Sequence, residues 1–384
     1  MIKGVKIVLS LIVCLVFLGS LGPVAGAQAA PPMPPQPAAN LLKTTADTIT
    51  VTASAEGRGA TSTQTGYTLE QRRAAKPMDS VAYKASDVAG GLENFAGQTP
   101  GYKNGGMPDP VAQAQAKAQN PDAWAAMEAR SSLPQPSFKA ANPLSLFGTK
   151  NTFTGYLGNY FTPFWTTYPY STVGKLYFTD GYSLYACTAT LIGEWTIVTA
   201  AHCAYNTDYN FWYYNWQFVP AEVNGLEPWG YWGGYSATVL TKYVAAKKAT
   251  SAMRYDVAVI ETYGTPGLTA GWSGWSYNFS AKQEIHAIGY PSNITGGYYT
   301  YICAAESYQK SSDVLAMGCD MTYGSSGGPW YLWFMPYQDS YPYTAYGNYV
   351  NGVVSGGTPG IPTFYGPRFS KSNILLLCSA TGCY

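Results

Sequence analysis

From Asn151 to the C-terminus the chain is written in short runs of β-branched and aromatic residues, separated by Gly, Pro, Asn and Ser. The runs include Val173 to Phe178, Thr196 to Thr199, Ala237 to Val244, Val257 to Ile260, Glu284 to Ile288 and Tyr349 to Val354. Runs of this length, bounded by turn formers, predict an all-β sandwich or barrel. One stretch departs from the pattern. Asn373-Ile374-Leu375-Leu376-Leu377, after Ser370 and Ser372, reads as a short helix with a polar start. Aromatic residues make up 15% of the 384 and charged residues only 11%, with 34 Tyr. That composition excludes a disordered chain and suits large, half-buried strand faces. A formal net charge of +1 favours neither nucleic acid nor an anionic membrane surface as partner.

The N-terminus has the pattern of an export signal. Lys3 and Lys6 precede an apolar stretch from Ile7 to Leu21, and Ala25-Gly26-Ala27 and Ala27-Gln28-Ala29 both fit an A-x-A cleavage site. The expectation is a signal peptide over 1–29 and no stable membrane anchor, since no later stretch offers the roughly 18 apolar residues of a spanning helix. Residues 30–150 are rich in Ala, Pro and Gln, poor in aromatics and without cysteine. Such a segment reads as a propeptide or a mobile N-terminal segment with short helices, the plainer alternative being a linker or stalk. The folded domain is expected over 151–384. Of seven cysteines, Cys14 leaves with the signal, and Val13 before it fits a lipoprotein site poorly. Cys187, Cys203, Cys303, Cys319, Cys378 and Cys383 remain, an even set that implies disulfides in an exported chain but leaves their pairing open. With no C-x-x-C and two histidines in all, a metal site is not expected.

The chemistry-bearing residues are few. His202 lies in Thr199-Ala200-Ala201-His202-Cys203, directly after the strand-like Trp195 to Val198. Alone it reads more readily as a buried structural histidine than as a catalytic one. Gly324-Ser325-Ser326-Gly327-Gly328-Pro329 surrounds a serine with glycines that permit a sharp turn and close approach of a substrate. The same letters satisfy the nucleophile elbow of α/β-hydrolases, which requires its histidine after the serine. No histidine follows Ser326, so that reading fails, and the order His, Asp, Ser remains. Asp208, Asp256, Asp313 and Asp320 lie between the two. Asp256 stands out at the start of the alternating Val257 to Ile260 run, where a rigid strand end can bury a carboxylate against an imidazole.

These segments resemble the trypsin-like serine proteases. Cys187 to Ile192 with Thr199 to Cys203 is similar to their histidine box, Tyr255 to Ala258 to their aspartate box, and Gly324 to Pro329 to their serine box. Tyr168-Pro169-Tyr170, Val173 to Leu176 and Gly289-Tyr290-Pro291 lean toward the bacterial and fungal glutamyl-endopeptidase-like branch. The resemblance implies two antiparallel six-stranded β-barrels, chymotrypsin-like, with the short C-terminal helix added. It implies a secreted, extracellular, monomeric endopeptidase acting on protein or peptide substrate without cofactor, with His202, Asp256 and Ser326 as triad and the N–H groups of Gly324 and Ser326 as oxyanion hole. It also implies the Cys187–Cys203 disulfide; Cys303–Cys319 and Cys378–Cys383 then follow as neighbours in sequence.

Specificity is less determined by the resemblance. Asp320 stands six residues before Ser326, where trypsins hold the aspartate that attracts Lys or Arg. Val350 to Gly357 resembles the pocket-wall strand, with Ser355, Gly356 and Gly357 as substrate-binding residues, yet it lacks the histidine of glutamyl endopeptidases. His286 lies in another strand-like run and reads as structural. Ser325 occupies the place of the aspartate that receives a new N-terminal amine in trypsin-like zymogens. A zymogen is still expected, its segment acting as folding aid or steric block with cleavage after Arg130 or Lys150, and its oxyanion loop held by local hydrogen bonds. The aromatic stretch Phe211 to Trp216, with Trp229 and Trp232, reads as hydrophobic packing before it reads as a carbohydrate site. The competing function is a non-catalytic polysaccharide or protein binder on the same fold.

Overall fold

In a computed structural model the residues described are 41–53, 66–79, 81–83, 98–131, 152–158, 165–246, 252–311, 313–335, 347–358 and 360–383. The expected signal peptide, and cleavage after Lys150, lie outside them, as does the side chain of Arg130. Six strands close a first barrel: Val173–Thr179, Leu184–Gly193, Thr196–Thr199, Ala258–Thr262, Trp232–Leu240 and Tyr214–Pro220. Each is antiparallel to the next and the last returns to the first. Leu176, Phe178, Leu191, Ile197, Val239 and Ile260 are fully buried in one apolar cluster. The first hairpin turns at Asp180, whose Oδ1 accepts the amides of Tyr182 and Ser183 at 2.8 Å each. Gly181 takes the positive φ of +93° that this turn needs.

The second barrel uses Glu284–Gly289, Tyr301–Glu306, Val314–Gly318, Thr363–Pro367, Tyr349–Val353 and Pro329–Leu332. Glu284–Gly289 pairs antiparallel with Tyr301–Glu306 and with Pro329–Leu332, which pairs in turn with Tyr349–Val353. Val314–Gly318 pairs with Thr363–Pro367. A Gly352–Arg368 bridge and the Cys303–Cys319 disulfide link these two groups of strands. Ile285, Ala287, Leu315, Met317, Trp330 and Phe364 form its core.

The C-terminal helix, Ile374–Thr381, is capped by Asn373 Oδ1, which accepts the Ile374 amide at 2.5 Å. Cys378–Cys383 staples its end, and Ile374 and Leu377 join the core of the first barrel. The run Ala237 to Val244 is not all strand. The ladder stops at Leu240, and Thr241–Val244 form a helical turn. There the Thr241 amide and hydroxyl turn to the carbonyls of Asp47 and Ala46, both at 2.9 Å, and leave the ladder.

The chain before residue 132 holds the expected short helices, Leu69–Ala74, Pro110–Gln119 and Pro121–Ser131. It also supplies strands that extend the later sheets, pairings the sequence did not suggest. Thr48–Thr52 adds to Trp232–Leu240, and Gly101–Lys103 to Gly274–Tyr277. Most of the aromatic stretch is packed away: Phe211, Trp212, Tyr213, Trp216 and Trp229 are buried, and Tyr214 and Trp232 are half-buried. A sugar-stacking platform would have to present those rings to solvent.

Candidate active site

His202 sits in a single helical turn, Ala201–Cys203, directly after the Thr196–Thr199 strand, and the Cys187–Cys203 disulfide ties that turn to the neighbouring strand. Asp256 comes just before Ala258–Thr262, the strand paired with Thr196–Thr199. Adjacent strands therefore bring residues 54 apart in sequence together. Asp256 Oδ2 lies 2.8 Å from His202 Nδ1, and Oδ1 accepts the His202 amide at 2.9 Å. A third donor comes from the second barrel, the Ser355 hydroxyl, at 2.5 Å from Oδ2. Asp256 is 1% exposed, so its carboxylate has protein donors in place of water, the condition under which a buried charge is tolerated. With Nδ1 turned to the carboxylate, Nε2 is the nitrogen left for a substrate or nucleophile.

Ser326 lies on a turn whose shape depends on two glycines. Gly324 has φ +88° and Gly327 φ +81°. A Cβ on Gly327 would stand 2.0 Å from Thr199 Oγ1 and 2.3 Å from the Thr188 carbonyl. The turn is bolted to the first barrel by Thr188, whose amide donates to the Ser326 carbonyl at 2.8 Å and whose hydroxyl donates to the Gly324 carbonyl at 2.9 Å. Ser325 holds the turn from inside, its hydroxyl donating to the Thr322 carbonyl at 2.5 Å. Asn293 straps the approach, accepting the Thr322 amide at 2.9 Å and donating to the Asp320 carbonyl at 2.8 Å. Ser326 Oγ and His202 Nε2 are both buried and have no hydrogen-bond partner among the described residues, so neither atom is committed elsewhere.

The remaining expected site residues fall in different places. Gly356–Gly357 form a short strand against Tyr365 and Phe364. Ser355, read from sequence as a substrate contact, turns its hydroxyl onto Asp256. Asp320 is half-buried and approaches Tyr301 and the Cys303–Cys319 disulfide. Burial pushes its carboxyl up, and the hydrogen bond from Tyr301 opposes that rise. His286 stays apart from His202, on the strand Glu284–Gly289 with its ring 5.3 Å from that of Phe334. All six expected disulfide cysteines pair as 187–203, 303–319 and 378–383. Among the described residues, two groups of Cys, His or Asp side chains are close enough to share an ion, one with His202 and one with Asp320. Both spend two of their three ligand atoms in a disulfide. Thr188 was missed in the sequence. Its one signal was its place beside Cys187.

A family profile described as Trypsin matches residues 166–367. Among curated proteins, glutamyl endopeptidase of Bacillus licheniformis is 26% identical over 170 residues, 43% of this chain and 49% of that one. A protein of Bacillus subtilis (strain 168) named extracellular metalloprotease is 29% identical over 135 residues, 34% of this chain and 40% of that one. The chain thus spans half or less of the length of these curated relatives. Among solved structures, the protease Anisep from Arthrobacter nicotinovorans is similar at 26% identity and TM-score 0.46, covering 56% of this chain and 96% of that one. A Glu endopeptidase in complex with MPD is similar at 22% identity and TM-score 0.45, covering 60% and 96%.

Proposed function

The chain belongs to the trypsin family, and on that premise we propose that it is a secreted serine endopeptidase made as a precursor, with Ser326, His202 and Asp256 as its catalytic triad. His202 Nε2 takes the proton from Ser326 Oγ as that oxygen attacks the scissile carbonyl. The N–H groups of Gly324 and Ser326 receive the oxyanion. Collapse of the tetrahedral adduct breaks the C–N bond, and His202 returns its proton to the leaving amine. Water, activated by the same imidazole, then hydrolyses the acyl ester on Ser326. Asp256 fixes the imidazole tautomer and stabilises its charged form.

The observation that carries this reading is the His202–Asp256 contact at 2.8 Å, made by a carboxylate that also takes the His202 amide and the Ser355 hydroxyl. A binding protein on this fold has no use for such an arrangement. The test is labelling of the secreted protein with a serine-directed fluorophosphonate. Modification of Ser326, lost in Ser326→Ala and His202→Ala, is the expected result. Full peptidase activity in purified Ser326→Ala would sink the assignment.

Export is supported by the signal-like N-terminus and by three disulfides. Among the described residues no helix is long and apolar enough to cross a membrane. Activation does not run through an ion pair beside the nucleophile, because Ser325 is neutral and bonds to Thr322. Acetylating the N-terminal amine of the active protein should therefore leave turnover unchanged; its abolition would show that a charge pair forms elsewhere.

A further inference from the structure

One stretch of the N-terminal segment crosses the proposed active site. Lys76–Pro77 pair with Tyr185–Ala186 of the first barrel, and Met78 donates its amide to the Ala186 carbonyl at 2.8 Å. The Met78 carbonyl then accepts the Gly324 amide at 3.1 Å, the N–H proposed for the oxyanion. Beyond it, Val81–Ala82 pair with Gly356–Gly357 of the second barrel. The Val81 amide reaches the Ser355 carbonyl at 3.4 Å and the Tyr83 amide the Gly357 carbonyl at 3.0 Å. Tyr83 is 1% exposed. Its ring meets Tyr365 edge-on, and its hydroxyl lies 3.3 Å from Ser355 Oγ, one hydrogen bond away from Asp256.

Both pairings are parallel. That direction decides whether the Met78–Asp79 bond can be cut. An amine leaves only if the group that protonates it, His202, is on its side. The strand carrying Ala186 is joined to the His202 turn by Cys187–Cys203. The amine half of a cleavable bond therefore belongs on the Ala186 side. Here that side is filled by Lys76 and Pro77, which lie on the acyl half, and the chain beyond the Met78 carbonyl heads the other way, to Gly356–Gly357. A peptide of the opposite sense would also form antiparallel ladders with both edges, the stronger pairing per residue. A tethered segment can use the weaker one, since its effective concentration is high.

The tether is built. Thr68 and Gln71 cap the helix Leu69–Ala74 reciprocally. Arg72, 5% exposed, donates from Nε and Nη2 to the Gly225 carbonyl at 3.1 and 2.9 Å and pairs with Glu227 at 3.1 Å. Arg73 adds a bond to the Asn224 carbonyl at 3.0 Å.

We infer that residues 76–79 and 81–83 act as an intramolecular inhibitor that occupies the substrate cleft with reversed chain polarity, anchored by Arg72. The inference rests on the serine-endopeptidase reading and adds to it how the cleft is blocked.

The test uses the full-length chain. Docking is read independently of chemistry in Ser326→Ala protein by hydrogen exchange. The amides of Met78, Val81, Tyr83 and Gly324 should be protected, and Arg72→Ala should raise their exchange by about tenfold or more, the worth of losing charged hydrogen bonds. In chain retaining Ser326, Arg72→Ala and Tyr83→Ala should each raise the rate of fluorophosphonate labelling by a similar factor before any processing. The Met78–Asp79 bond should stay intact while added peptides are cut. Unprotected amides in the Ser326→Ala chain, equal labelling rates with and without Arg72, or cleavage between Met78 and Asp79 would each overturn the inference. Protected amides with no labelling in any variant, even after the segment is removed, would overturn the catalytic reading while leaving the docking in place.

Discussion

Gly327→Ala separates two costs that the serine turn combines. At φ +81° a side chain is strained whatever the space around it, at about 1–2 kcal/mol. The new methyl would also stand 2.0 Å from Thr199 Oγ1, 2.3 Å from the Thr188 carbonyl and 2.8 Å from the Ala200 amide. Two of these neighbours are backbone of the first barrel, so the turn must move by roughly an ångström. Overpacking of this kind adds about 1–3 kcal/mol. The expected total is about 2–5 kcal/mol, out of a whole stability of about 5–15 kcal/mol. Gly360→Ala is the control. Gly360 has φ +77° and nothing within 4 Å of its would-be Cβ, so only the backbone cost of about 1–2 kcal/mol applies. Both substitutions should be placed in the Ser326→Ala background, which prevents self-cleavage, and compared by urea unfolding. Equal destabilisation would refute the argument that the Thr188–Gly327 approach shapes the turn.

Three further outcomes are expected. Ser355→Ala removes the 2.5 Å hydrogen bond to Asp256 and should lower kcat by about 10–100-fold with little change in KM; Ser355→Thr, which keeps the hydroxyl, should recover much of the loss, and an unaltered kcat would exclude the positioning role. Burial holds the His286 imidazole below its ordinary value, so the unfolded chain takes up that proton first as pH falls. Its contribution is complete above the unfolded pKa and is lost as pH drops through the folded one, and unfolding at about pH 8 and about pH 5 should show a smaller decline in His286→Gln. Replacing both Cys303 and Cys319 by Ser opens a loop with a sequence separation of 16 and should cost about 3 kcal/mol in chemical unfolding; no loss would mean that strand pairing alone closes the second barrel.

The elements legible in the sequence are those whose cause is local. Thr196–Thr199 and Tyr349–Val353 are strands because short runs rich in β-branched and aromatic side chains fit a pleated surface wherever they fall. Ile374–Thr381 is a helix because an apolar run follows a polar cap. The positive φ of Gly324 and Gly327 could be expected, since a serine turn of that kind admits few other residues. His202, Asp256 and Ser326 stood out through their neighbours in the chain, and the three disulfides joined cysteines close in sequence. What tertiary structure alone decided has its partners far apart. The Ser355 hydroxyl meets a carboxylate 99 residues earlier, Thr188 holds a carbonyl 136 residues later, and Tyr83 lies beside a serine 272 residues on. Neither member of such a pair carries a pattern that names the other. A serine before two glycines reads as a pocket wall, and an Ala- and Pro-rich leader reads as mobile or as short helices, because propensity reports only what a segment does by itself. Ser355 becomes the partner of Asp256, and Lys76–Pro77 and Val81–Ala82 become strands, only when the two barrels close and present edges with unpaired amides and carbonyls, which a buried cleft does not leave unsatisfied.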